Sequence, residues 1–283
     1  VFTGVGFEAV PERTLLPEAD LIIGFGLREN EVLTAKPFHC PSVNIDSIKA
    51  NNGTRFDFSA SASPAVAPIV FEVLSGKTWG LEQLGKSMDS LMCRMLAGPF
   101  LPAHVYSAVE RRFEGKVRMV LDTGLFCTIG EHAWRAHQAD WCLGSGQGRY
   151  MGIGLPIAVA AALQDPSIPT AVALGDGGIG MFFAELKLAV AHRLPLLVLL
   201  MTDGGFGSLR TRAIREGLDQ NSLLMNEPSW IRVVEGLGLQ AERPDTIDAV
   251  DKVLEKWGPE NGPLFLEIPF DSNAYQRMVE GIR

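Results

Sequence analysis

Short apolar runs of strand length recur along this chain, and helix-patterned segments separate them. Leu196 to Met201 is the purest of these runs, apolar at every position and closing on Thr202-Asp203-Gly204-Gly205. A strand with no polar face must be covered on both sides, which is the condition of a parallel sheet flanked by crossover helices. Thr170 to Leu174 repeats the pattern and closes on Gly175-Asp176-Gly177-Gly178, downstream of a strand at 117–121 that leads into Asp122-Thr123-Gly124. Helices are predicted over 152–163, 181–192, 230–236 and 246–257, with a last strand at 263–269. The expected fold class is α/β, a doubly wound parallel sheet.

A smaller pattern precedes it. Asp20 to Gly26 reads as a buried strand running into a glycine turn, Ser42 to Asp46 as the next strand, and 61–74 as a helix containing Pro64 and Pro68. Two or three strands make a thin sheet, so residues 1–75 are expected to be part of a Rossmann-like domain whose remainder lies elsewhere. Residues 76–101 read as a connector carrying one helix over 81–96, ended by Gly98-Pro99. Residues 102–283 form the main domain, and two domains suit a chain of 283 residues.

The net charge of −8, from 25 basic and 33 acidic residues, argues against a nucleic-acid-binding surface. Cys40, Cys93, Cys127 and Cys142 lack metal-ligand spacing, which fits a reducing, cytoplasmic setting better than a disulfide scaffold. No signal peptide is read at the start, and the longest apolar run, 194–201, is strand length, so no membrane span is expected.

Asp176 and Asp203 each follow a strand and precede glycines. In open α/β sheets ligands sit at the carboxyl ends of strands, and two carboxylates there can bind a hard divalent cation. Adjacent glycines would let backbone N–H groups approach a phosphate. The alternative stays open: Asp-Gly after a strand is commonly a turn whose aspartate caps the next helix. Met151 reads as a core methionine, His192 as a cation near a helix C-terminus, and Cys127 as a small apolar filler. Glu131 and His132 lie near the approach to the site. Arg210 and Arg212 read as solvated charges, with carboxylate binding as the other option.

The stretch GDGGIGMFFAELKLAVAHRLPLLVLLMTDGGFGSLR, Gly175 to Arg210, resembles the thiamin diphosphate signature of the acetolactate synthase and benzoylformate decarboxylase family. Asp176 sits at its first metal-ligand position and Asp203, 27 residues on, at its second. Gly205 matches the residue whose backbone carbonyl completes the protein's metal contacts. GSGQGRYMGIGLPIAVAAAL, from Gly144, is similar to the family's SGGLGTMGFGLP segment. That match places Met151 where a bulky residue bends the cofactor into a V, and the Arg149 backbone near the aminopyrimidine. Asp122-Thr123-Gly124 matches the family's DVG. The resemblance reaches back to Asp20–Arg28, which is like the family's middle domain. It implies a thiamin diphosphate-binding fold, Mg²⁺ held by Asp176, Asp203 and Gly205, a diphosphate faced by Gly177, Gly178 and the loop near Phe206-Gly207, and further cofactor contacts at Gly124 and Gly175.

Three departures accompany the resemblance. Thr202-Asp203 replaces the family's asparagine pair, which adds a negative charge beside the diphosphate. Leu125-Phe126 replaces a Gln-His pair near the phosphates. No glutamate matches the family's activating residue, which lies in a pyrimidine-binding domain that this stretch does not resemble. The chain is therefore expected to be a subunit or C-terminal fragment of a Mg²⁺-dependent 2-oxo acid decarboxylase or carboligase, a lyase or transferase. It would be active only with a polypeptide carrying the pyrimidine-binding domain, in a dimer of such pairs. A non-catalytic subunit retaining the cofactor fold is the alternative. A nicotinamide-binding reading of Gly24-Phe25-Gly26 is weaker, since the glycine run stops short of GxGxxG.

Overall fold

The computed structural model describes residues 10–26, 38–48, 56–73, 79–144, 150–226, 229–280 and 282. The chain divides into two compact units, residues 1–93 with 282–283, and residues 94–281. The division falls within the helix over 81–96, inside the stretch read as a connector.

In the first unit, β1 (Ile22–Phe25), β2 (Ser42–Asp46) and β3 (Phe58–Ser61) form a three-stranded parallel sheet in that order. Asp57 Oδ2 accepts hydrogen bonds from the Ser42 backbone N–H and hydroxyl, both at 2.9 Å, and so ties the entry of β2 to the entry of β3. Strand β3 takes the first residue of the predicted 61–74 helix; its four residues are all exposed and carry no apolar pattern to announce a strand. The helix itself, α2 (Ala67–Val73), starts later and places Pro68 in its first turn, where the missing N–H has no partner to lose. It follows α1 (Val10–Leu15) and precedes α3 (Leu81–Leu96), which has the predicted bounds.

The second unit is built on six parallel strands: β4 (Arg118–Leu121), β5 (Cys142–Gly144), β6 (Thr170–Gly175), β7 (Leu196–Thr202), β8 (Gln240–Glu242) and β9 (Leu264–Pro269). Their spatial order is β5-β4-β6-β7-β9-β8. From β4 the chain steps to one side for β5 and then to the other for β6, so the winding reverses at β4/β6. That reversal is where an open α/β sheet opens a crevice at its carboxyl ends. The helices are α4 (Pro102–Phe113), α5 (Leu125–Ala133), α6 (Gly154–Gln164), α7 (Asp176–Phe182), α8 (Leu186–Ala191), α9 (Gly207–Glu216), α10 (Trp230–Gly236), α11 (Ile247–Lys256) and α12 (Ser272–Glu280). Val120, Val172, Leu174, Val198, Leu200 and Phe265 from the sheet pack with Leu155, Val159 and Val234 from the helices in one buried cluster.

The crossover between β6 and β7 differs from its prediction. Helix begins at Asp176 rather than at 181, and a 3-10 turn over Phe183–Glu185 divides it into α7 and α8. The glycines that read as loop are drawn into a helical turn because their bare backbone packs closely. A Cβ at Gly178 would lie 2.5 Å from Asp122 Oδ2 and 3.0 Å from the Gly152 nitrogen. No described helix is long and apolar enough to cross a membrane.

Candidate cofactor site

Three adjacent strands, β4, β6 and β7, each run directly into an aspartate. Asp122 is the structural one. It is 1% exposed, and its Oδ2 and Oδ1 accept from the backbone N–H groups of Gly152 (2.8 Å) and Gly154 (3.1 Å). Burial pushes its carboxyl pKa above the ordinary range, against the lowering effect of those two bonds. It thereby clamps the turn that opens α6, where Gly152 takes φ 81°, a left-handed conformation that side chains disfavour.

Asp176 is arranged differently. Its Oδ2 accepts three backbone N–H groups in succession, from Asp203 (3.1 Å), Gly204 (2.9 Å) and Gly205 (3.2 Å). Its Oδ1 is buried and accepts no hydrogen bond among the described residues. Burial, reinforced by the nearby charge of Asp203, raises its pKa to about 6, while the three N–H bonds pull the other way. Asp203 likewise keeps a buried Oδ2 without a hydrogen-bond donor. That oxygen lies 3.9 Å from Arg210 Nη1, and both side chains are nearly sealed, at 7% and 12% exposure. Burial raises the Asp203 pKa; Arg210 and a hydrogen bond with Ser272 lower it. Arg210 Nη1 in turn donates to Ser272 Oγ.

Buried carboxylate oxygens lacking donors are where a hard cation gains most, because a cation supplies the compensation that hydrogen bonds do not. Among the described residues no group of three or more His, Cys, Asp or Glu is placed to hold a metal. A cation here would rest on two carboxylates and a carbonyl, with the remaining oxygens coming from its ligand. The Gly205 carbonyl is suited to this: among the described residues it accepts the Gly207 N–H alone, at 3.1 Å, and keeps a second lone pair.

The predicted residues are brought together unevenly. Gly124 and Gly175 both lie against the Phe126 ring, Gly177 against Phe206, and Gly207 against Leu125 and Asp203 Oδ2. The space over these glycines is thus shared with the chain's own aromatic and aliphatic side chains. Met151 is half-buried rather than sealed in the core, and Arg149 lies outside the described residues. His132 is buried, with Nδ1 2.7 Å from the Thr128 carbonyl of its own helix. Cys127 Sγ lies 3.6 Å from Glu131 Oε1. His192 is exposed at the end of α8. Arg212 is solvated and pairs with Glu216 at 2.9 Å. Arg210, read the same way, is instead buried against Asp203. The signal that would have found it is the Asp203 departure itself: an added buried carboxylate demands a cationic neighbour.

The chain belongs to the thiamine pyrophosphate enzymes: residues 122–268 match the family described as "Thiamine pyrophosphate enzyme, C-terminal TPP binding domain". It is similar to the acetolactate synthase large subunit of Haemophilus influenzae, 23% identical over 292 residues, covering 95% of this chain and 51% of the relative. The acetolactate synthase large subunit of Buchnera aphidicola is 24% identical over 282 residues, covering 91% and 49%. Pyruvate oxidase of Lactiplantibacillus plantarum is 22% identical over 262 residues, covering 87% and 43%. The chain spans about half the length of these curated relatives.

Proposed function

We propose that this chain is the diphosphate- and metal-binding part of a thiamin diphosphate- and Mg²⁺-dependent 2-oxo acid decarboxylase or carboligase, as a subunit or a C-terminal portion. One observation carries the reading. Asp176 and Asp203 close adjacent strands, and each holds a buried carboxylate oxygen without a hydrogen-bond donor. Mg²⁺ would be held by Asp176 Oδ1, Asp203 and the Gly205 carbonyl. The three N–H bonds to Asp176 Oδ2 hold the 203–205 turn, so its carbonyl and carboxylate need little rearrangement to meet a cation.

When bound, thiamin diphosphate supplies a carbon nucleophile and an electron sink for a 2-oxo acid; the protein supplies orientation and electrostatics. The backbone at Gly124, Gly175, Gly177, Gly178, Phe206 and Gly207 would face the diphosphate. The half-buried Met151 would hold the bend between the cofactor's rings, and the Arg149 backbone would meet the aminopyrimidine. The names of the relatives, acetolactate synthase and pyruvate oxidase, support a small 2-oxo acid as substrate. The activating glutamate would come from a pyrimidine-binding domain on a partner polypeptide or on another part of a longer one, with such pairs dimerised.

Calorimetric titration of the chain with thiamin diphosphate tests the cofactor assignment. Binding is expected with Mg²⁺ and is expected to vanish in chelator. Undiminished binding in chelator, or binding of NAD in its place, would overturn it. The non-catalytic alternative is favoured by Phe126, whose ring lies against Gly124 and Gly175 and offers no polar contact to a phosphate. Turnover of a 2-oxo acid by the complex with a pyrimidine-binding domain would decide against that alternative.

A further inference from the structure

An aspartate at the Asp203 position raises a charge problem. Two carboxylates cancel a divalent cation, which leaves no positive charge to attract an anionic diphosphate. The structure contains a third charge at that place. Arg210 Nη1 lies 3.9 Å from Asp203 Oδ2 and donates to the Ser272 hydroxyl at the start of α12. Its Cδ lies 3.3 Å from where a Cβ on Gly205 would sit, so the side chain runs along the bare backbone of the 203–205 turn. Its Nε has no hydrogen-bond partner among the described residues.

We propose that Arg210, anchored by Ser272, is the positioning residue for Asp203: it balances that carboxylate's charge and leaves the cation position as nearly neutral as a single amide ligand would. The Asp203–Arg210 pair then does together what an uncharged side chain does alone. The inference rests on the reading of Asp176 and Asp203 as cation ligands. It requires that Arg210 act oppositely on two ligands, since a fixed positive charge repels a free cation and attracts a diphosphate.

The test uses the full chain and two probes, Mn²⁺ alone (followed by its electron paramagnetic resonance signal) and thiamin diphosphate at saturating Mn²⁺. Arg210→Gln should tighten Mn²⁺ binding and weaken thiamin diphosphate binding, each by about tenfold. Arg210→Lys keeps the charge and should hold both affinities within about threefold of the wild type. The double variant Arg210→Gln/Asp203→Asn removes both charges and should restore thiamin diphosphate affinity to within about threefold. A purely structural role would lower both affinities together in Arg210→Gln, and the double variant would not recover; that result, or no change in either affinity, overturns the proposal while leaving the cofactor site standing. Failure of the wild-type chain to bind either probe would overturn the site and the proposal with it.

Discussion

Asp122 uses both carboxylate oxygens on backbone N–H groups, Oδ2 on Gly152 and Oδ1 on Gly154. An asparagine there must turn its own amide N–H against one of two buried donors. Asp122→Asn should therefore lower stability by about 2 kcal/mol, seen as a fall in Tm of about 4–8 °C. Asp176 takes all three of its bonds through Oδ2. An asparagine oriented with its oxygen there keeps every bond and loses only the charge, so Asp176→Asn should fold and fail to bind Mn²⁺ or thiamin diphosphate. The same substitution reports a linkage. A folded pKa of about 6, above the ordinary 3.8, means the folded protein holds this proton more tightly than the unfolded chain does. Ionised Asp176 thus lowers the stability of the metal-free protein at neutral pH, and the penalty disappears as pH falls through about 6 toward about 4. In melts without metal, the Tm of Asp176→Asn relative to wild type should rise between about pH 4 and about pH 6 and level off above that. A constant difference would show that the carboxyl is not raised.

The turn that carries Asp203 is an element with its own brace. Phe206 N–H donates to the Leu223 carbonyl and Met225 N–H to the Gly204 carbonyl, both at 3.0 Å, with an antiparallel bridge between Gly205 and Leu224. A Cβ on Gly205 would run into the Leu223 carbonyl oxygen. Gly205→Ala should push the turn off its brace, lowering stability by about 1–3 kcal/mol and speeding hydrogen exchange at the Phe206 and Met225 amides; unchanged exchange would argue that the brace is not what holds the turn. How legible each element is in sequence follows from how it is buried. The strands at 170–175, 196–202 and 264–269 are buried along nearly their full length and read as apolar runs, broken in the last of them only by Glu267, which pairs with Arg243. The three-residue strands β5 and β8 are mostly exposed and show no pattern. At the site, Asp176 and Asp203 were legible because each follows a strand. The anchoring of Arg210 was not, because Ser272 lies 62 residues away, beyond any local spacing.

At the scale of the whole molecule, the second unit leaves large apolar side chains in water beside the candidate site. Met181 and Phe182 on α7, and Leu209 and Ile214 on α9, are exposed. These two helices start where β6 ends and just beyond the end of β7, at the strand ends that carry Asp176 and Asp203. A single exposed leucine needs no explanation, but a group of large exposed apolar side chains on the two helices that leave the site is the kind of surface a partner covers. The expected cover is the pyrimidine-binding domain, since the chain spans about half the length of its curated relatives and binds, on the reading above, only the diphosphate end of the cofactor. Obligate interfaces commonly bury more than about 2,000 Å², so the isolated chain should self-associate. The aminopyrimidine would then be left in water with nothing to control its proton. The full chain with saturating thiamin diphosphate and Mg²⁺ should therefore bind cofactor without turning over a 2-oxo acid, and adding a polypeptide that carries a pyrimidine-binding domain should restore dispersity and turnover together. Decarboxylation by the chain alone at about 1 s⁻¹ or faster would mean that the second domain is not needed for catalysis and that the exposed helices serve some other contact.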